Sequence, residues 1–295
     1  MSWFRRLTGR GVPTPAGPDV PSIYAVELLF ESPPRPDPGA ILAAIRAHRP
    51  AAEAAHDSDA TKALLFVHPD RPVRLKDTTI PAQVAVLATG RPFEVTPALA
   101  ADLDQSWHFP AAREVVARCR HAMMVTDMMA SLLDRHSRLE LFQDTLAGIL
   151  AAVPPAAIHW RPTGQFVDPA GFLAAHREGG FSRFFHGALN VRNYRISNSL
   201  GDRVMDTLGL APFGLPDLQC HFRGLDTQDV AAVLGNTAYY LFEHGDVIAD
   251  GHTVEGITPG SRWRCQHEDA LVGPGRVVLD LDPGPPHAAG NRAKG

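Results

Sequence analysis

Between Asp226 and Gly245, Val230, Val233, Leu234, Thr237, Ala238, Leu241 and Phe242 return at intervals of three and four, the spacing of one face of an α-helix. Asp226 stands just ahead of this run, where its carboxylate can accept from the free N–H groups of a first turn. Asp229 adds negative charge there, and Gly245 follows as the stop. A helix with one apolar stripe has to bury it. The flanking segments offer the surface: DLQCHF before it, and WRCQHED and RVVLDLD after it, have the composition of strands. The stretch from 214 to 282 is thus expected as strand, helix, tight polar loop and a final pair of strands, and the rest of the chain is read around it.

The same coarse order occurs near the start. AVELLF is a strand ended by PPRPDP; Asp37 caps and Pro38 opens a helix through Ile41, Leu42 and Ile45; ALLFVH and QVAVLAT are the next strands. In both passes the third strand ends in His followed two residues later by Asp, His68 with Asp70 and His267 with Asp269. This predicts an α+β fold of mainly antiparallel sheets with helices packed on one face, arranged as two related ferredoxin-like layers. In the middle, AREVVARCRHAMMVTDMM reads as a helix start or a strand, with its methionines as core filler. SRLELFQDTLAGILAAVP reads as a helix with Ser137 and Glu140 in a capping-box pattern. AAIHWRP and ALNVRNYRIS are strands, and Asp168 with Pro169 begins a short helix. The expected divisions are a flexible tail over 1–22, an N-terminal layer over 23–118, a C-terminal α+β domain over 119–284 and a second tail over 285–295.

Composition narrows the function classes. A net charge of −4 and a pI near 6.4 give no general attraction for phosphate backbones, so nucleic acid is not an expected partner. The apolar runs are too short and too interrupted to span a membrane, and MSWFRRLTGR lacks the apolar core of a signal peptide. Cys119, Cys220 and Cys265 form no disulfide framework and fit a reducing cytoplasm.

LPDLQCHF, NTAYYLFEHGDVIADGHTVEGI and RWRCQHEDALVGPGRVVLDLDPG together resemble the C-terminal part of a bacterial family described only as a domain of unknown function. AVELLF and LLFVHPDRPV fit that family more loosely. The resemblance implies no reaction, cofactor or catalytic residue. The chain also lacks GxGxxG, a phosphate-binding loop ending in Gly-Lys-Ser/Thr, HExxH, GxSxG and CxxC.

The remaining candidates are side-chain clusters. GDVIADGHTVEG carries Asp246, Asp250, His252 and Glu255, types that can hold a divalent cation or act as an acid and base. Its plainer reading is a tight turn at Asp250 and Gly251 with solvated neighbours. CQHED places Cys265 and His267 on one face of a strand and Glu268 on the other. With Cys220 and His221 this suggests a zinc site, against buried cysteines acting as small apolar residues. Of Tyr239 and Tyr240, one has to turn from the apolar stripe; Tyr239 is taken as a candidate contact for a ligand or partner.

Two functions follow from these readings. One is a non-catalytic binding or protein-interaction module for a protein or small-molecule partner. The other is a metal-assisted hydrolase that gathers Asp250, His252, Glu255, His267 and Glu268 around a water. No motif asks for a cofactor, a divalent metal being the one addition these side chains allow. An exposed edge strand would let two copies pair as a homo-oligomer.

Overall fold

The computed structural model describes residues 24–55, 63–199 and 201–290; the tail expected over 1–22 and residues 291–295 lie outside them. β1 (Ala25–Phe30) alternates between two cores, with Val26, Leu28 and Phe30 in one and Leu29 in the other. α1 (Pro38–Arg46) is capped by Asp37, which accepts from Ala40 N at 2.8 Å, and buries Ile41 and Ile45. β2 (Glu53–Ala54), β3 (Ala63–Arg74) and β4 (Thr79–Ala88) form an antiparallel meander. α2 (Pro97–Asp104) and α3 (Ala112–Arg118) lead to β5 (His121–Met128), which inserts between β4 and β1. After α4 (Arg135–Ala152), β6 (Ala157–Trp160) and β7 (Gln165–Val167) complete a seven-stranded sheet of order β2-β3-β4-β5-β1-β6-β7.

α5 (Pro169–Glu178) and α6 (Gly180–Phe185) precede a second sheet. Its strands are β8 (Asn190–Arg195), β9 (Arg203–Leu208), β10 (Asp217–Phe222), β11 (Thr253–Glu255), β12 (Arg262–Asp269) and β13 (Val277–Asp282). They lie in the order β11-β12-β13-β10-β9-β8, and α7 (Thr227–His244) connects β10 to β11. β10 and β13 run parallel and the other paired strands antiparallel. The fold is α+β, with two mostly antiparallel sheets.

α4 lies at the centre. Arg138, Leu139 and residues 141–150 are all buried, so it has no solvent face over most of its length. Leu139, Phe142, Leu146 and Ile149 join a core that also takes Met123 and Val125 from the first sheet and Leu218, Leu234, Leu241 and Leu279 from the second half. Gly148 brings α1 close: a Cβ there would stand 2.6 Å from Ile45 Cα. The cap of α4 is Asp134, which accepts from Ser137 N at 3.0 Å; Ser137, expected as the cap, lies inside the first turn because the helix begins at Arg135.

Several expectations change. Helices cover both faces of the seven-stranded sheet, since Phe109, Ala112 and Val116 pack with Leu29, Ala157 and Phe166 in a second core. A division at 118/119 does not coincide with a break between sheets, because β5, β6 and β7 belong to the first one. The passes β1-α1-β2-β3-β4 and β10-α7-β11-β12-β13 share their element order, and β13 is the parallel neighbour of β10. In the first sheet β5 separates β4 from β1, so the side-by-side first and third strands of a ferredoxin-like layer are not found there. Residues 285–290, expected as tail, pack on the second sheet: Ala288 bridges Phe222 and Ala289 is fully buried.

The two edges of the second sheet differ. At β8, Trp107 Nε1 donates to Val191 O at 2.7 Å, and the Gln105 side chain both accepts from Asn193 N at 2.9 Å and donates to Asn193 O at 3.3 Å. At the other edge, β11 pairs with β12 on one side and borders a groove on the other. Among the described residues no helix is long and apolar enough to cross a membrane.

Candidate ligand groove beside the long C-terminal helix

α7 has the predicted boundaries and buried face. Asp226 accepts from Gln228 N at 2.7 Å, the stripe from Val230 to Phe242 is buried, and Gly245 ends the helix with φ +90°. The chain then drops Ile248 into the core and turns at Asp250 and Gly251, the latter at φ +84°. The tight-turn reading of Asp-Gly is the geometry found. Gly251 N donates to Cys265 O, and Cys265 N to His252 O, each at 2.8 Å, so the loop is laced onto β12. Asp250 Oδ1 accepts from His267 N at 2.7 Å and lies 2.7 Å from His267 Nδ1. These bonds from the His267 backbone and ring hold the Asp250 carboxyl below its usual range.

Between this loop and α7 lies a groove of about 510 Å³. Val233, Ile248 and Val254 give it apolar walls, and Asn236, Thr237, Tyr240, His252, Thr253 and Glu255 give it polar ones. His252 Nδ1 accepts from Ala249 N at 3.2 Å, which fixes the ring. Glu255 is exposed, its Oε1 3.5 Å from Gly260 N. Gly256 completes the rim where a side chain would strike the Trp263 indole, 2.3 Å from an added Cβ.

The other predicted residues are placed elsewhere. Glu268 projects from the opposite face of β12 to His267, and its Oε1 accepts from Gln219 Nε2 at 2.7 Å. Tyr239 packs against Phe181 and Phe184 and lines a separate cavity of about 330 Å³ with Glu243. Burial, and then the Glu243 carboxylate, raise its phenol pKa. Tyr240 is the tyrosine that lines the groove, 48% exposed. Cys119, Cys220 and Cys265 are buried and form no disulfide with one another, and burial pushes Cys265 up to about 11, away from a reactive thiolate. Among the described residues no group of three or more His, Cys, Asp or Glu side chains is arranged to hold a metal ion.

Two polar clusters were not anticipated. On the outer face of the first sheet His159 Nδ1 lies 3.2 Å from Glu27 Oε2 and Nε2 lies 2.9 Å from Asp102 Oδ2, with Arg161 on the other Glu27 oxygen at 3.0 Å. Glu27 and Arg161 line a cavity of about 630 Å³, yet both Glu27 oxygens are already engaged, by His159 and by Arg161. On the outer face of the second sheet Asp206 accepts from Arg192 Nε at 2.9 Å and Arg276 Nη2 at 2.8 Å, and Arg276 Nε reaches Asp217 Oδ2 at 3.2 Å. A single charged residue inside an apolar strand, Glu27 in AVELLF or Asp206 in VMDTL, was the available signal.

A family model described as a domain of unknown function (DUF4261) matches residues 206–282, from within β9 to the end of β13 and including every residue of the groove. No curated protein and no solved structure matches the chain.

Proposed function

We propose that the protein is a non-catalytic binding module whose ligand or partner enters the groove between α7 and β11. The observation that supports this reading is the groove's make-up: about 510 Å³ of concave surface with apolar walls and a few convergent polar groups, the usual constitution of a recognition site. The acids and imidazoles around it are engaged in holding loops, Asp250 with His267 and Glu268 with Gln219. Strand alternation turns Glu268 away from His267, so the five residues of the hydrolase reading do not face one point. Among the described residues the groove is lined by no Lys or Arg, which argues against a nucleic-acid partner, and three buried cysteines without a disulfide among them fit a cytoplasmic setting.

The test is a fragment screen on the full-length chain followed by NMR. Fragments that shift Val233, Ile248 and His252 in the parent chain, and no longer do so in Tyr240→Ala, bear out the reading. Turnover of a generic phosphoester or peptide that His252→Ala abolishes would overturn it.

A further inference from the structure

We propose that β11 takes an extended peptide as an added antiparallel strand, the peptide lying in the groove between β11 and α7. This rests on the groove being the binding site and names its partner: an extended segment with an apolar residue at its centre.

Backbone geometry comes first. In an antiparallel ladder the N–H and C=O of successive residues point alternately to the two neighbouring strands. Gly256 N donates to Ser261 O at 3.1 Å, and Val254 stands opposite Trp263, so Val254 and Gly256 are the residues whose backbone groups face β12. Thr253 and Glu255 therefore direct theirs away from β12, and both residues line the groove. The far edge, at β8, is closed by Gln105 and Trp107. Among the described residues, a new strand on this sheet has one edge to join, that of β11.

The groove is shaped for such an occupant, with strand backbone on one side and the Val233, Asn236, Thr237 and Tyr240 side of α7 on the other. Strand addition beside a helix uses main-chain hydrogen bonds for affinity and alternate side-chain pockets for selectivity. A peptide residue opposite Val254 would point the same way as Val254, toward Val233 and Ile248, and so is apolar. Residues opposite Thr253 and Glu255 would point to the exposed face. On the exposed face Glu255 already stands opposite Arg262 of β12, and Thr253 opposite Arg264, so the apolar position opposite Val254 carries the selectivity.

The experiment selects from a random decapeptide display library with the full-length chain and then measures amide exchange of the ¹⁵N-labelled chain with each selected synthetic peptide. The expected result is peptides with an apolar centre, a tenfold or greater slowing of exchange at the Thr253 and Glu255 amides, and unchanged affinity for Thr253→Ala. Thr253→Pro removes an outward-facing N–H without touching the β12 ladder, and it should weaken binding at least tenfold. Should that variant fail to fold, exchange in the parent chain decides alone. Peptides that bind in a Tyr240-dependent way while both amides exchange freely would overturn strand addition and leave the groove's binding role standing. An empty peptide selection alongside groove-binding fragments would do the same, as would helical peptides or a second copy of the chain in the groove. If neither peptides nor fragments bind, both readings fall.

Discussion

Arg138 Nε lies 2.6 Å from Asp127 Oδ2, both side chains 2% exposed, so an ion pair joins α4 to β5 inside the core. The second Asp127 oxygen accepts from Tyr24 N at 2.9 Å, and Arg138 Nη1 donates to Pro212 O at 2.7 Å, which ties the first sheet to the approach to β10. Removing one partner leaves the other as an uncompensated buried charge. Asp127→Ala or Arg138→Met is expected to cost about 3–5 kcal/mol, and the double variant less than the sum of the two. Urea unfolding of the four species measures this; additive effects would show that the pair is not a coupled unit.

Two buried groups set opposing acid responses. Burial, then the Arg49 charge, lowers His68 from 6.5 to about 4. As pH falls through that window the unfolded chain takes up a proton that the folded chain refuses, so stability declines, by up to about 3 kcal/mol. Burial raises Asp217 from 3.8 to about 6, with Arg276 opposing. Here the folded chain keeps a proton that the unfolded chain has released, so stability falls as pH rises toward 6, by a similar amount. Asp217→Asn should steepen the loss of stability on acidification, and His68→Gln should reverse its direction. Denaturant midpoints across this pH range check both signs, and two variants with the parent slope would refute the assignment.

His159 should hold its proton above the ordinary imidazole range. Burial disfavours the charge, but hydrogen bonds to Asp102 and Glu27 outweigh it. The resulting stability is present in full below the unfolded value of 6.5 and is lost as pH rises through the folded one. Ring ¹⁵N shifts should place the titration above that of a free imidazole, and Asp102→Asn should bring it down.

Asp250→Ala removes the acceptor of the His267 amide and ring. The predicted outcome is faster amide exchange from Ala249 to His252 with little change in the melting temperature, since the lost bonds are solvent-exposed and Ile248 still anchors the loop. A large drop in melting temperature would show that the turn supports the core.

Local features were the legible ones. Asp37, Asp168 and Asp226 cap the helices expected of them, because a cap depends on its own neighbours. The insertion of β5 between β4 and β1 was hidden, since pairing Ala25 with Thr126 spans most of the first half and leaves no local trace. The surroundings of Tyr239 were hidden for a related reason. This tyrosine shares a side of α7 with Gly235, and α6 packs there through Phe181 and Phe185, a contact that helical periodicity does not report. Glu268 was grouped with His267 by proximity in sequence, although period-two alternation separates them.

The Gln105 and Trp107 side chains that occupy the β8 edge give the six-stranded sheet a valence of one. A sheet with two open edges can propagate, each added chain presenting a fresh edge to the next, and the product is a fibre. With β8 taken, any strand that joins at β11 ends the series: either a foreign segment sits there, or two copies meet there about a twofold axis and close. Through this sheet, among the described residues, Gln105 and Trp107 would act as chain terminators and stop any growth at a pair.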